Sequence, residues 1–124
     1  MIGDNCFIGE GTKIWSSCQI EIEDRVLIAH GVNIHDNISH PINAELRHKH
    51  FVDISTIGHP KKDLDLKEKK ILIKRDSWIG FNSTILKGVT VGEGAIIGAC
   101  SLVTKDVKPN TIVVGNPAKE IVNR

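Results

Sequence analysis

The chain has 124 residues, with 16 Lys+Arg against 15 Asp+Glu, 40% apolar residues and 25% charged residues. That length suits one domain spanning residues 1–124, and the near-zero net charge leaves out the concentrated basic surface that nucleic-acid binding requires. Residues 1–20 hold Asp4, Glu10 and several glycines with no continuous apolar run, which predicts neither a signal peptide nor a membrane span and a cytoplasmic protein.

Aromatic residues are scarce: two Trp, three Phe and no Tyr. The apolar mass is aliphatic, with 19 Ile and 10 Val, which favours strands and a narrow β interior. Three cysteines, Cys6, Cys18 and Cys100, lack paired spacing and read as buried free thiols in a reducing compartment.

From the N-terminus the chain repeats every six residues. Ile2, Ile8 and Ile14 start the series, and after a two-residue slip it continues with Ile22, Ile28 and Ile34. Counting these as slot one, slot five carries small or β-branched residues (Cys6, Thr12, Cys18, Val26, Val32, Ile38) that can share a crowded axis. Slot four favours Gly, Asn or Asp (Asn5, Gly11, Gly31, Asn37), the types that tolerate a left-handed backbone. A turn every six residues fits neither an amphipathic helix nor a hairpin sheet; it fits short strands stacked coil on coil, a parallel solenoid.

Between residues 39 and 72 the period disappears, giving a long loop excursion over 39–70. Eight of the ten residues from Lys61 to Lys70 are charged, the mark of a solvated loop or exposed helix face. An excursion of that length from a solenoid is usually functional when ordered. Slot one resumes with Ile73, Ile79, Ile85, Val91, Ile97 and Val103, so repeats occupy 1–38 and 71–108. From Pro109 the tail 109–124, with Gly115-Asn116-Pro117-Ala118, should stop the coil, and Lys119–Arg124 should cap it.

On this repeat the chain resembles the hexapeptide-repeat acyltransferases, and most closely their sugar O-acetyltransferases. The resemblance implies an all-β fold, a left-handed parallel β-helix of triangular section. It also implies a homotrimer with active sites between subunits, acetyl-CoA as co-substrate, no metal, and a saccharide acceptor such as a surface-polysaccharide precursor.

At the edge of the excursion, His40-Pro41 resembles the His-Pro of these enzymes, whose His is the general base. An imidazole can take the proton of a sugar hydroxyl as its oxygen attacks a thioester. Its other ring nitrogen calls for an acceptor, for which Asp36, Glu45 and backbone carbonyls are candidates. His35, in outward-facing slot two, is placed at the acceptor cleft together with Asn37 and Glu45. His59-Pro60 repeats the dipeptide without a coil beside it and reads as a loop residue.

The resemblance assigns the second half to the cofactor. Residues near Phe81 and Ala99 match positions that contact pantetheine, and Thr104 and Lys105 match positions near the adenosine phosphates. Trp78 and Phe81 flank this groove. Gly80 and Gly98, lacking side chains in slot two, would let a slender ligand approach the backbone, and Lys105 offers a point charge for phosphate. Phe81 and Cys100 stand where relatives often carry Ser or Ala and Gly. Two alternatives accompany this reading. His30, His35 and His40 are spaced five and five, near the pattern with which γ-class carbonic anhydrases of the same fold hold zinc. A non-catalytic repeat scaffold is the other.

Overall fold

The structure, a computed structural model, describes residues 1–58 and 65–121. Its strands are two to four residues long and fall in the order the repeat dictates. The first coil holds β1 (Phe7–Ile8), β2 (Lys13–Trp15) and β3 (Ile20–Ile22), and the second β4 (Leu27–Ile28) and β5 (Asn33–His35). The excursion follows, with a helix, α1 (Ala44–Thr56), before β6 (Ile71–Ile73) closes the coil. The third coil is β7 (Trp78–Ile79), β8 (Thr84–Ile85) and β9 (Thr90–Val91); β10 (Ile96–Ile97) and β11 (Leu102–Val103) begin the fourth. A hairpin of β12 (Ile112–Gly115) and β13 (Ala118–Glu120) ends the described chain.

Each strand bonds in parallel to its equivalent in the next coil, so three sheets form the faces of the left-handed prism. One runs β1-β4-β7-β10-β12-β13, the second β11-β8-β5-β2 and the third β3-β6-β9. Slot-one residues stack directly, Ile8 on Ile28 on Ile79 on Ile97 and Ile14 on Ile34 on Ile85 on Val103, and Val113 of β12, outside the register, continues the first stack. Burial follows this stacking, since Ile28, Ile34, Ile73, Ile79, Ile85, Val91 and Ile97 are all 0% exposed. Each buried Ile contributes roughly 1.5–3 kcal/mol of transfer free energy. The buried apolar cluster holds only Ile, Val and Ala, and the five Trp and Phe rings all lie outside the prism.

Slot five joins this core. Val26, Val32, Val89 and Ala95 are buried, and Ser77, Ser83 and Ser101 fit there because their hydroxyls are paired. Ser83 Oγ donates to Gly98 O at 2.9 Å and accepts from Ser101 N, while Ser101 Oγ accepts from Gly115 N at 3.1 Å. These bonds tie the third coil to the fourth and to the hairpin. Cys18 departs from the expected buried thiol: it lies in the two-residue slip and is exposed, as is Cys100, while Cys6 is partly covered and all three are free.

The coil does not stop at Pro109. Val107, a slot-five residue, bridges to Val91, a slot-one residue, so the last coil is two residues shorter than a full turn. That shift lets β12 continue the first face on β10 before the chain reverses through Asn116 and Pro117 into antiparallel β13. The expected cap is therefore a hairpin beginning at Ile112, and residues 122–124 lie outside the described chain.

Candidate active site

The excursion leaves the second coil after His35 and returns to it at Ile71. Its two ends are held together, Lys69 N donating to Asp36 O at 2.9 Å and Ile38 N to Leu66 O at 3.0 Å. The slip in the first coil explains how the exit is built. Ser16, Ser17 and Cys18 bulge at the corner beneath Asp36, whose carboxylate is fully buried. It accepts from Ser16 Oγ (2.6 Å), Ser17 N (2.9 Å), Cys18 N (3.0 Å) and Asn37 Nδ2 (3.0 Å). Burial pushes this carboxyl up, but the four hydrogen bonds outweigh it and hold the pKa below the usual carboxylate value.

The order propagates residue by residue. Asn37, fixed on Asp36, accepts from Ser39 N at 2.7 Å, and Ser39 turns through a left-handed φ of 67°. His40 follows, its N–H on Ile38 O, and Pro41 is buried. Asn43 then caps α1, its side chain accepting from Leu46 N at 3.0 Å, and Glu45 sits exposed in the first turn, where a negative charge suits the helix N-terminus.

The His40 ring does not meet Asp36 or Glu45. Its Nδ1 lies 3.2 Å from Nδ1 of His50, the buried residue of α1, with ring centroids 5.1 Å apart. No spacing rule pointed to His50, because the pair is made by the path of the excursion. Asp36 is instead linked to the turn before His40 through Asn37, which donates to it and accepts from Ser39 N.

His35, Asn37 and Ser39 line a cleft of about 340 Å³ with Ile38, Thr84, Leu86 and Lys87. His40 is the next residue after Ser39. His35 tilts against Trp15 at 6.1 Å between centroids; burial pushes its pKa down, with Asp36's charge opposing, so the ring is neutral at pH 7 and able both to give and to accept a hydrogen bond. Glu45 is not among the residues lining this cleft.

The remaining site residues occupy two corners of the prism. Gly80, Phe81, Gly98 and Ala99 lie between the first and second faces, Thr104 and Lys105 beyond β11, both exposed. Trp78 and Phe81 are 49% and 44% exposed, and Phe81 stacks on His30 at 5.2 Å with rings 4° from parallel. The space left by the slot-two glycines is not open to a ligand. A Cβ on Gly80 would come within 2.6 Å of Ala99 N, and one on Gly98 within 2.8 Å of Val114 Cγ2. Glycine there admits the neighbouring coil, which replaces the expected reason for it.

His30, His35 and His40 turn to Phe81, Trp15 and His50 respectively and do not converge within this chain. Among the described residues no group of three or more His, Cys, Asp or Glu side chains is arranged to hold a metal ion. Nor is any helix among them long and apolar enough to cross a membrane. His59-Pro60 lies outside the described residues.

Comparison with known proteins bears on the repeat and the fold. Residues 70–105 match the bacterial transferase hexapeptide (six repeats), and residues 1–35 match the hexapeptide repeat of succinyl-transferase. Galactoside O-acetyltransferase of Escherichia coli (strain K12) is 33% identical over 120 residues, covering 97% of this chain and 52% of that protein. Among solved structures, a maltose O-acetyltransferase from Clostridium difficile 630 superposes with a TM-score of 0.75 at 35% identity, over 97% of this chain and 56% of its own. A hexapeptide-repeat acetyltransferase from Vibrio cholerae complexed with acetyl coenzyme A does so at 0.77 and 31%, over 98% and 58%. The chain spans a quarter to about half the length of the curated relatives it matches. The six-residue register, the triangular stack of parallel strands and these matches together establish that the chain belongs to the hexapeptide-repeat, left-handed β-helix acyltransferase family.

Proposed function

We propose that the protein transfers an acetyl group from acetyl-CoA to a hydroxyl of a saccharide, with His40 as general base. The observation that carries this is the hydrogen-bonded corner running from Asp36 through Asn37 and Ser39, which fixes His40 at the edge of the cleft holding His35 and Asn37. Relatives named for galactoside and maltose acetylation support the same class of acceptor.

The chemistry needs no covalent enzyme intermediate. His40 Nε2 takes the proton of the acceptor hydroxyl as its oxygen attacks the thioester carbonyl, forming the C–O bond. The tetrahedral oxyanion collapses, the C–S bond breaks, and CoA leaves as thiolate that recovers the proton from the imidazolium. Uncharged His35 and Asn37 supply hydrogen bonds to neighbouring sugar hydroxyls, and the apolar walls from Ile38 and Leu86 suit a pyranose face. Glu45, on the first turn of α1, is reserved for the more distant part of a longer acceptor.

For the cofactor, the exposed rings of Trp78 and Phe81 with Ala99 supply the pantetheine side, and Thr104 with Lys105 the phosphate side. A homotrimer completes the groove. Its support in this chain is the outer row of the first face, where Phe7, Leu27, Trp78, Ile96 and Ile112 stand in register along the whole prism. Phe7, Leu27 and Trp78 are 59%, 44% and 49% exposed, a continuous apolar stripe of the kind that marks an interface. Active sites then lie between subunits, in a cytoplasmic enzyme whose acetyl-CoA is drawn from the surrounding pool.

The test is to mix the protein with acetyl-CoA and a panel of mono- and oligosaccharides and amino sugars, following thiol release. Acceptor-dependent release with an O-acetylated product is the expected result. Release with amino acceptors alone, or CO₂ hydration by a zinc-loaded protein with no affinity for CoA, would replace this reading.

A further inference from the structure

We propose that His50 is the positioning residue for His40, fixing which ring nitrogen of the base carries its proton; the role rests on His40 being the base. Within α1 most side chains are exposed, and His50, at 6% exposure, is the one that is buried. Its Nδ1 stands 3.2 Å from Nδ1 of His40. Among the described residues this is the one polar contact of the His40 ring.

Two Nδ1 atoms at that distance share a single proton, one donating and the other offering its lone pair. The assignment follows from the reaction. A base that accepts through Nε2 must keep its lone pair there, so neutral His40 carries its proton on Nδ1 and donates to His50. His50 is then neutral, with Nδ1 as acceptor and its own proton on Nε2. When His40 Nε2 takes the hydroxyl proton, the imidazolium keeps donating from Nδ1, now as a charge-assisted and stronger bond. The proton count on His50 does not change, and the ring does not swing as charge appears. A histidine from the excursion thus performs the orienting task that a carboxylate or carbonyl performs in other acid–base sites. The same contact couples α1 to the coil exit, so the helix is placed by the group it serves.

The experiment is long-range proton–nitrogen correlation spectroscopy on protein labelled with ¹⁵N-histidine, above neutral pH, with the ring signals assigned from His40→Gln and His50→Asn. The wild type should show His40 protonated on Nδ1 and His50 protonated on Nε2. His40 protonated on Nε2, or an unchanged His40 pattern in His50→Phe, overturns the proposal. Kinetics give the second arm. His50→Phe, which keeps ring volume but has no acceptor, should lower kcat about 10- to 100-fold, the range seen when the partner of a functional imidazole is lost. The KM for acetyl-CoA should stay unchanged. His50→Asn, whose side-chain oxygen can take the place of Nδ1, should recover most of that loss; equal losses in the two variants overturn the positioning role. Because the spectrum is read without turnover, the predicted protonation pattern in a protein that acetylates nothing would remove the transferase reading and the role with it, while leaving the pair itself.

Discussion

The prism and the excursion are made of one chain but obey different rules. In the prism each residue's place is set by the coil below it: Ile28, Ile79 and Ile97 are interchangeable members of one stack, with no polar duty. In the excursion no position repeats. Asp36 holds Asn37, Asn37 holds Ser39, and the ring of the next residue, His40, meets His50, each through a different hydrogen bond. The difference teaches that repetition supplies rigidity cheaply, and that the irregular polar side chains to which the proposed chemistry is assigned enter where the repeat is interrupted and its neighbours are tied down.

Five substitutions probe that division. His40→Ala should lower kcat by about 10²- to 10⁴-fold, the usual worth of a general base, without shifting the melting temperature. Steady-state rates and a thermal melt check both halves. Ile79→Ala should do the reverse, costing about 2–5 kcal/mol of stability for a fully buried Ile while leaving the rate per folded molecule unchanged; a denaturant titration reads it.

Asp36→Asn tests the junction of the two regions. The carboxyl's folded pKa is depressed, so its contribution is complete above the unfolded value of about 3.9 and is lost as pH falls through the folded value. Wild-type stability should therefore decline on acidification below about pH 4 more steeply than that of Asp36→Asn. At pH 7 the variant should be less stable by about 1.5–3 kcal/mol, the worth of hydrogen bonds to a charged group. Lys105→Ala should raise the KM for acetyl-CoA about 10-fold with kcat retained, the loss of one phosphate contact worth about 1.4 kcal/mol. Ile8→Ala, in the same stack as Ile79 but 37% exposed on the first coil, should cost less than about 1 kcal/mol.

The slots show how far the sequence could be read. Slot one located β1 to β11, because a column of Ile and Val has one stable arrangement when coils stack in register, but it missed β12, which lies beyond the two-residue shortening of the last coil. Slot four located most turns: Asn5, Gly11, Gly31, Asp76, Asn82, Gly88 and Gly94 are left-handed. Arg25 and Cys100 are left-handed too, at φ 54° and 59°, although their residue types gave no sign of it. The coil imposes the turn there and the residue bears about 1–2 kcal/mol of strain. Asn37 shows the converse. It has the turn-forming type but puts its side chain to use between Asp36 and Ser39.

Helix α1 was not legible. AELRHKHFVDIST buries one histidine and presents no apolar stripe, so the usual periodic signal is missing, and only Asn43 with Glu45 marks a start. His40 was singled out by its dipeptide and its place at the coil exit. His50 was not, because its partnership depends on a three-dimensional path rather than on spacing. The glycines taught a further lesson: Gly80 and Gly98 were expected to let a ligand approach the backbone, whereas a side chain at either would meet the next coil or its hairpin.

The most direct test of the division is to remove the excursion. Asp36 O and Lys69 N are already joined at 2.9 Å, so a short Asn-Gly turn can replace the residues between them without opening the prism. The shortened chain should keep its β circular dichroism and a cooperative melt while losing all acceptor-dependent thiol release from acetyl-CoA. Transfer that survives the deletion would contradict the account, because it would place the chemistry in the repeat.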